Sequence, residues 1–286
     1  MISPDEACPC GRADAAGKCC YSNGVFMKLP ARTVPPGPAT GKSLDACYCR
    51  SLVDCDQKRT AEHYISASIL EELNRENRLK VEGFPWTDGE AKFLSPKALT
   101  AKNLCKRHNN VLSPLDAMAR RMFEALDNNR VHGESNRLYL FNGHDLERWL
   151  LKTLCGLADS DNLPLHEGED VSLPREWLEV LVCGREFSEG KGLYMCVSPG
   201  HLLEGPRGTK MRAITSSGRL SGIGLWLCGM EFILSMTGFP SRMFDGRHFI
   251  YRPEEIYTSS AGYQRSILFS WNGSADLGTV ALDFAT

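Results

Sequence analysis

Cysteines are the first residues of this chain whose types and spacing could do chemistry. Eight of the twelve lie within the first 105 residues, in close-spaced groups that suit metal binding better than disulfide formation. The first group has the spacing C-x-C-x8-C-C, which brings four thiolates together from two tight turns and suits a tetrahedral zinc ion. Because so short a segment could not fold around an apolar core, the metal would supply its folding energy. We therefore predict a structural zinc knuckle over residues 1–26, with the ligands Cys8, Cys10, Cys19 and Cys20.

A second group of metal-binding and catalytic residue types lies between Cys47 and Asn110. An acid–histidine pair, Glu62-His63, is bracketed by a C-x-C-x5-C turn and a C-x-x-H turn. Hydrolysis of a phosphodiester needs a water nucleophile, a base and a divalent cation. Histidine suits the base, carboxylate and amide oxygens suit Mg²⁺ or Mn²⁺, and thiolates with imidazole suit zinc. These residue types predict a metal-dependent hydrolase.

The order of these motifs resembles the HNH (ββα-metal, treble-clef) endonuclease superfamily, especially its zinc-bearing branch with an acid–histidine pair before a C-x-x-C-N turn. The resemblance implies that His63 is the general base on the first strand of a hairpin. It implies that Glu62 binds the catalytic Mg²⁺ or Mn²⁺ and that Asn109, at the start of the helix, is the second ligand. Glutamate stands at position 62 where the superfamily more often has aspartate.

The same resemblance implies that Cys105 and His108 are ligands of a structural zinc ion. His108 occupies a position where the superfamily usually has cysteine. Two further ligands come from Cys47, Cys49 and Cys55, and the unusual spacing leaves open which two. A rival assignment gives all four cysteines to the zinc and makes His108 a ligand of the catalytic metal. With the N-terminal knuckle, either assignment makes two structural zinc sites.

Two further features bear on this resemblance. The 45 residues between His63 and Asn109 exceed the usual separation, so an insertion over about 70–100 is expected to loop out. The N-terminal knuckle resembles the SEC-C motif over all four cysteines, with Arg12-Ala13 where that family usually has serine-glycine. The SEC-C resemblance implies a docking module for proteins or other partners, without a part in catalysis, and so makes a protein a candidate partner of the knuckle.

Proline content and apolar periodicity predict the elements around the candidate site. Residues 27–44 hold four prolines and two glycines and are predicted to be a linker. Residues 45–134 form the predicted nuclease domain. Ser113 and Pro114 predict the capped start of a helix within it. The predicted fold class is α+β.

Residues 135–286 are predicted to form a C-terminal α+β specificity or sensing domain with an antiparallel sheet. His144–Leu157 and Pro174–Cys183 have helical spacing of apolar residues, and strand-like runs follow from Gly192 onward. The apolar stretch 222–239 contains a glutamate, so it is predicted to be buried core and not a membrane span.

The overall charge of −2 excludes a generally basic surface as the basis for nucleic-acid binding. Basic residues outnumber acidic ones six to three between positions 102 and 130. Lys106 and Arg107, at the predicted helix start, are the expected phosphate contacts, with DNA favoured over RNA. Neither the oligomeric state nor the target sequence follows from the residues.

Residues 1–26 contain no basic segment followed by an apolar run, which predicts no secretory signal. Together with the many ligand-like thiols, this predicts a cytoplasmic protein. A small zinc module, a nuclease core and a further domain form an organisation common in bacterial anti-phage defence, an analogy that suggests the same setting here. The alternative function is a non-catalytic zinc-stabilised module that binds nucleic acid or protein.

Overall fold

The computed structural model describes residues 3–74, 79–131, 136–163, 171–197, 208–228, 230–238, 248–260, 263–272 and 278–283. Strands and helices are mixed along the described chain, which confirms the predicted α+β class. In the N-terminal module, the elements are α1 (Ala16–Cys19) and a hairpin of β1 (Tyr21–Ser22) with β2 (Val25–Phe26).

Two antiparallel strands and a long helix follow the N-terminal module. Strand β3 (Arg59–His63) pairs with β6 (Thr100–Cys105), and β6 leads directly into α3 (Lys106–Val131). The pairing register shifts between Thr60 and Glu62, an irregularity of the kind that re-aims side chains near functional sites. The end of β3 and the start of α3 therefore belong to one local unit.

The predicted helix start at Ser113 is wrong, because α3 begins at Lys106 and continues through Pro114. Proline has no N–H to donate to the carbonyl of Asn110, four residues earlier. The Ser113 hydroxyl donates to that carbonyl instead, over 2.8 Å. A serine–proline pair usually marks the first turn of a helix, but in this protein it lies inside one.

The segment between β3 and β6 contains α2 (Ala67–Leu73), β4 (Leu79–Glu82) and β5 (Lys92–Leu94). It was expected to loop out, but β4 pairs in parallel with β9 (Gly208–Ser216). Glycine is required at position 83, where φ is +88° and an added Cβ would lie 1.8 Å from the Met211 carbonyl oxygen. The insertion is thus part of the main sheet.

That sheet has seven strands. The remaining members are β8 (Gly192–Val197), β10 (Arg219–Leu227), β11 (Met230–Ser235) and β12 (His248–Tyr251). Their order is β12-β8-β11-β10-β9-β4-β5. The described parts of the stretch 222–239 lie mostly in β10 and β11, which are almost wholly buried, as the sequence predicts. No helix among the described residues is long and apolar enough to cross a membrane.

A second sheet has four strands: β7 (Arg137–Asn142), β13 (Glu255–Ser260), β14 (Tyr263–Ser270) and β15 (Thr279–Asp283). Their order is β15-β13-β14-β7, and β13 pairs in parallel with β15, as β14 does with β7. The prediction of an antiparallel sheet is therefore only partly right. Strand β7 joins β14 from far earlier in the chain, whereas β15 follows β14 in the chain and pairs with β13 on the opposite side.

Helices α4 (Gly143–Asp159) and α5 (Arg175–Cys183) confirm the two predicted C-terminal helices. Every residue of α4 from Gly143 to Ala158 is buried, including its charged ones. Helix α4 contacts α3, α5, β6 and several strands of both sheets. A helix that is buried all round lies at the centre of a fold.

The proline-rich segment 27–44 lies against the first turn of α4. The backbone N–H of Ala31 donates to the Asp145 carboxylate over 2.9 Å. Arg148 donates to the hydroxyl of Thr33 over 2.8 Å, and Thr33 is buried. The segment is thus an extended strap that is hydrogen-bonded to the central helix.

Candidate active site and metal centres

One buried group of metal-binding side chains lies where the cysteine turns meet the start of α3. The ligand atoms of Cys47, Cys55, Cys105 and His108 all lie within 4.8 Å of one another. His108 Nδ1 is 3.1 Å from Cys105 Sγ, 3.6 Å from Cys47 Sγ and 3.8 Å from Cys55 Sγ. Three thiols and one imidazole in this arrangement fit tetrahedral zinc.

The turn at residues 47–55 decides which two cysteines contribute. Cys49 is as fully buried as Cys47 and Cys55 but lies outside the group of converging ligand atoms. A short 3-10 turn follows Cys49 and ends at Val53 with a φ of +54°, which turns the chain back before Cys55. His108 belongs to the zinc group, so the geometry gives no support to its rival role at a catalytic metal.

Without a metal ion, the thiols of this group keep their protons at neutral pH. Hydrogen bonding to Cys47, then burial, raises the pKa of Cys105 to about 12. A hydrogen bond with Cys105 lowers the pKa of Cys47, but hydrogen bonding to Cys49 and burial together outweigh it and raise the pKa to about 11. A zinc ion would compensate the charge of the thiolates and hold them deprotonated. His108 Nε2 is buried, has no hydrogen-bond partner among the described residues, and would carry the ring proton.

The N-terminal cysteines form a second group, as the sequence predicts. Cys8, Cys10, Cys19 and Cys20 have ligand atoms within 4.8 Å of one another. Cys10 Sγ lies 3.5 Å from Cys19 Sγ, and Cys19 Sγ lies 3.6 Å from Cys20 Sγ. Four soft donors so close together fit structural zinc.

This knuckle is docked on the rest of the protein. The N–H of Leu140 in β7 donates to the Pro9 carbonyl over 3.0 Å. Arg121 of α3 donates to the same carbonyl, and its guanidinium lies 4.9 Å from the centre of the Phe141 ring. Burial lowers the pKa of Arg121, and the nearby Cys10 and Cys8 oppose that effect. A zinc tetrathiolate carries net negative charge, so Arg121 is a natural counter-charge.

Glu62 and Asn109 are brought together, although they are far apart in the sequence. Asn109 Nδ2 donates to the Thr60 hydroxyl over 3.0 Å, and that hydroxyl donates to the Leu104 carbonyl over 3.1 Å. The Asn109 amide also lies close enough to Glu62 to lower the pKa of that carboxyl. Burial has the larger effect and leaves the pKa of Glu62 above its ordinary value. Two of the three predicted catalytic residues therefore meet between β3 and α3.

His63 is the last residue of β3 and is partly buried. Burial, then the Lys152 ammonium, lowers the pKa of His63 below its ordinary value, against opposing effects of Glu71 and Asp116. The neutral imidazole is therefore the dominant form at pH 7. A neutral imidazole can accept a proton from water, which is what a general base must do.

Lys152 belongs to this site and was missed by sequence reasoning. Its ammonium is ion-paired with Glu62 and lies 2.7 and 2.8 Å from the two carboxylate oxygens of Asp116. The side chain is only 2% exposed. Burial lowers the pKa of Lys152, but the two carboxylates outweigh it and leave the pKa raised. A lone lysine in the apolar stretch RWLLKTLCGL was the available signal, because a buried lysine needs a charged partner.

Asp116 is held from a second side as well. The hydroxyl of Ser66 donates to Asp116 over 2.5 Å, and the indole N–H of Trp149 donates to that hydroxyl over 2.9 Å. The chain Trp149–Ser66–Asp116 therefore fixes the carboxylate that receives the ammonium. Its members come from α4, from the turn before α2, and from α3.

The two predicted phosphate contacts differ in their surroundings. Lys106 is exposed at the first position of α3. Arg107 forms an ion pair with Asp54 and donates to the carbonyls of Pro36 and Pro38 over 2.9 and 3.2 Å. The guanidinium of Arg107 thus fastens the proline-rich strap to α3, an internal role that the sequence did not suggest.

No family model, no curated protein and no solved structure matches this chain. The geometry of the site is therefore the basis for a function.

Proposed function

We propose that this chain is a metal-dependent endonuclease of the HNH type, which hydrolyses phosphodiester bonds, most readily in DNA. One observation carries the proposal. The Glu62-His63 end of β3 lies beside the first turn of α3, where Asn109 directly follows the zinc-group residue His108. An acid, a base and an amide next to a structural zinc group are the parts that such a reaction requires.

The zinc group would position the site. Cys105 is the last residue of β6 and His108 lies in the first turn of α3, and a zinc ion shared with Cys47 and Cys55 would tie that helix start to the preceding turns. The position of Asn109 therefore depends on zinc coordination, and its orientation depends on Thr60. Functional side chains supported in this way by rigid elements keep their geometry.

The catalytic roles follow from the chemistry of each side chain. His63, neutral at pH 7, would take a proton from the attacking water. Glu62 and Asn109 offer a carboxylate and an amide oxygen, the hard donors that suit Mg²⁺ or Mn²⁺. Such an ion, when bound, would stabilise charge on the phosphate and on the leaving oxygen. Exposed Lys106 would contact a neighbouring phosphate of the substrate.

A second function, a non-catalytic zinc-stabilised binding module, is favoured by a different observation. Lys152 is ion-paired with Glu62, so this carboxylate already has a structural partner. Arg107 is likewise engaged within the protein. A protein that only binds nucleic acid or another protein would use these charges for stability alone.

Cleavage assays with a His63→Ala variant separate the two functions. We expect the full-length protein to cut supercoiled and linear plasmid DNA with Mg²⁺ or Mn²⁺. Removal of the base should slow cutting by about 10²- to 10⁴-fold. Both proteins should retain equal zinc, because His63 lies outside both zinc groups.

Arg59→Ala is the matched control for this assay. Arg59 is exposed on the same strand, and its side chain donates only to the Lys102 carbonyl among the described contacts, so cutting should persist. The same assay on RNA tests the preference for DNA. If the wild-type protein and the His63→Ala variant bind nucleic acid equally well and neither cuts DNA or RNA, the non-catalytic function is correct.

A further inference from the structure

The position of Lys152 has a consequence for cation binding at the candidate active site. Its ammonium lies between Glu62, the proposed metal ligand, and Asp116. The side chain comes from the centre of the buried helix α4 and is 2% exposed, so its ammonium is enclosed by protein and held by these two carboxylates. Two carboxylates and one ammonium leave the group with one net negative charge.

An ammonium and a divalent ion on the same carboxylate repel each other strongly. They would lie only a few ångströms apart, and the repulsion between like charges grows as they are removed from water. The approach of a phosphate group adds negative charge and offsets this repulsion. Binding of the divalent ion and binding of nucleic acid would then be coupled.

We propose that Lys152 is a resident cation of this site, which opposes divalent-ion binding at Glu62 until a nucleic-acid phosphate supplies compensating charge. The inference rests on the proposed function, because it takes Glu62 as a ligand of the reaction's metal ion. It adds an order of events. In the free protein Lys152 is the cation at Glu62, and the divalent ion binds together with nucleic acid.

The test is Mn²⁺ binding to the full-length, zinc-loaded protein, followed by electron paramagnetic resonance. The probes are Mn²⁺ alone and Mn²⁺ with a short phosphorothioate DNA duplex that resists cleavage. We expect the duplex to tighten Mn²⁺ binding to the wild-type protein by about tenfold or more, within the usual range of coupling between two ligands. Thermodynamic linkage requires Mn²⁺ to tighten duplex binding by the same factor. Glu62→Gln should abolish the duplex-dependent binding.

Removal of the Lys152 ammonium should allow tight Mn²⁺ binding without the duplex. Lys152→Met is expected to bind Mn²⁺ without DNA about tenfold or more tightly than the wild-type protein does. Lys210→Met is the matched control, because Lys210 also pairs with a glutamate, Glu82, but across the neighbouring strands β9 and β4 of the seven-stranded sheet. That variant should bind Mn²⁺ as the wild-type protein does.

Lys152→Met leaves two buried carboxylates without a cation and could therefore fail to fold. A double variant tests the same inference without that defect. Lys152→Met with Asp116→Asn has the same net charge at the site as the wild-type protein, and asparagine can still accept from Ser66. We expect it too to bind Mn²⁺ about tenfold more tightly without DNA. Equal binding by the double variant and the wild-type protein would overturn the inference, as would tight Mn²⁺ binding at Glu62 in the wild-type protein without DNA.

This experiment also separates the inference from the proposed function. Duplex-dependent Mn²⁺ binding by a protein that cuts neither DNA nor RNA would refute the endonuclease and uphold the resident cation. Cleavage by a protein that binds Mn²⁺ equally with and without the duplex would support the endonuclease and refute the resident cation.

Discussion

Replacement of Cys55 by serine should remove one of the two zinc ions that we expect the cysteine groups to bind, and should unfold much of the protein. Zinc at a structural site contributes roughly 10–16 kcal/mol of apparent binding free energy, whereas a whole domain is stable by about 5–15 kcal/mol. Cys55 is fully buried among the other ligands, at the point where the turns and α3 meet. We expect the free energy of unfolding to fall by about 5 kcal/mol or more. Zinc analysis and urea unfolding measure the two effects.

Cys49→Ser is the matched control for this prediction. Cys49 lies in the same turn and is equally buried, but it is not among the converging ligands. Its replacement buries a hydroxyl in place of a thiol, which should lower stability by about 1–3 kcal/mol and leave both zinc ions bound. Loss of zinc from Cys49→Ser, with zinc retained by Cys55→Ser, would show that the ligand set is wrong.

The contrast between these two cysteines shows what the sequence could and could not predict about the metal site. Cysteine spacing was enough to locate both groups, because ligands of one zinc ion come in close-spaced pairs. The choice between Cys49 and Cys55 depends on the direction of one turn. That direction follows from the left-handed conformation of Val53, a residue type that gives no sign of it.

Long-range contacts limited the rest of the prediction. The helices over 143–159 and 175–183 follow from local apolar spacing, which the sequence displays directly. The parallel pairing of β4 with β9 joins segments from different parts of the chain, and no local pattern encodes such a partner. Lys152 at Glu62 is a contact of the same kind.

The charge of a side chain in the sequence did not predict whether that side chain is exposed. Lys106 and Arg107 are neighbours with the same sign, yet one is exposed and the other is bound to Asp54 and two carbonyls. The five donors of a guanidinium suit it to holding a backbone segment in place. The proline-rich strap supplies carbonyls for this purpose because proline residues leave theirs free of local helix or sheet pairing.

Replacement of Arg252 by methionine should destabilise the protein by about 3–5 kcal/mol, because it leaves a buried carboxylate without its cation. Arg252 Nε lies 2.8 Å from Glu147 Oε1, and the two side chains are 3% and 1% exposed. Glu147 also accepts from the N–H of Leu193 over 3.0 Å and lies 3.0 Å from His144. The pair thus joins α4 to strand β8 and to the residue that directly follows β12. Urea unfolding with an unchanged m-value measures the loss.

Two further variants show whether the unpaired charge causes that loss. Arg175→Met removes an ion pair with Glu179 whose arginine side chain is 59% exposed, and such a pair contributes only about 0–1 kcal/mol. Adding Glu147→Gln to Arg252→Met removes the charge but keeps an oxygen to accept from Leu193. Since an amide is less costly to bury than an unpaired carboxylate, the double variant should recover about 2 kcal/mol or more. If it is no more stable than Arg252→Met, then the packing of Arg252 against Trp271 and Tyr251, and not its charge, accounts for the loss.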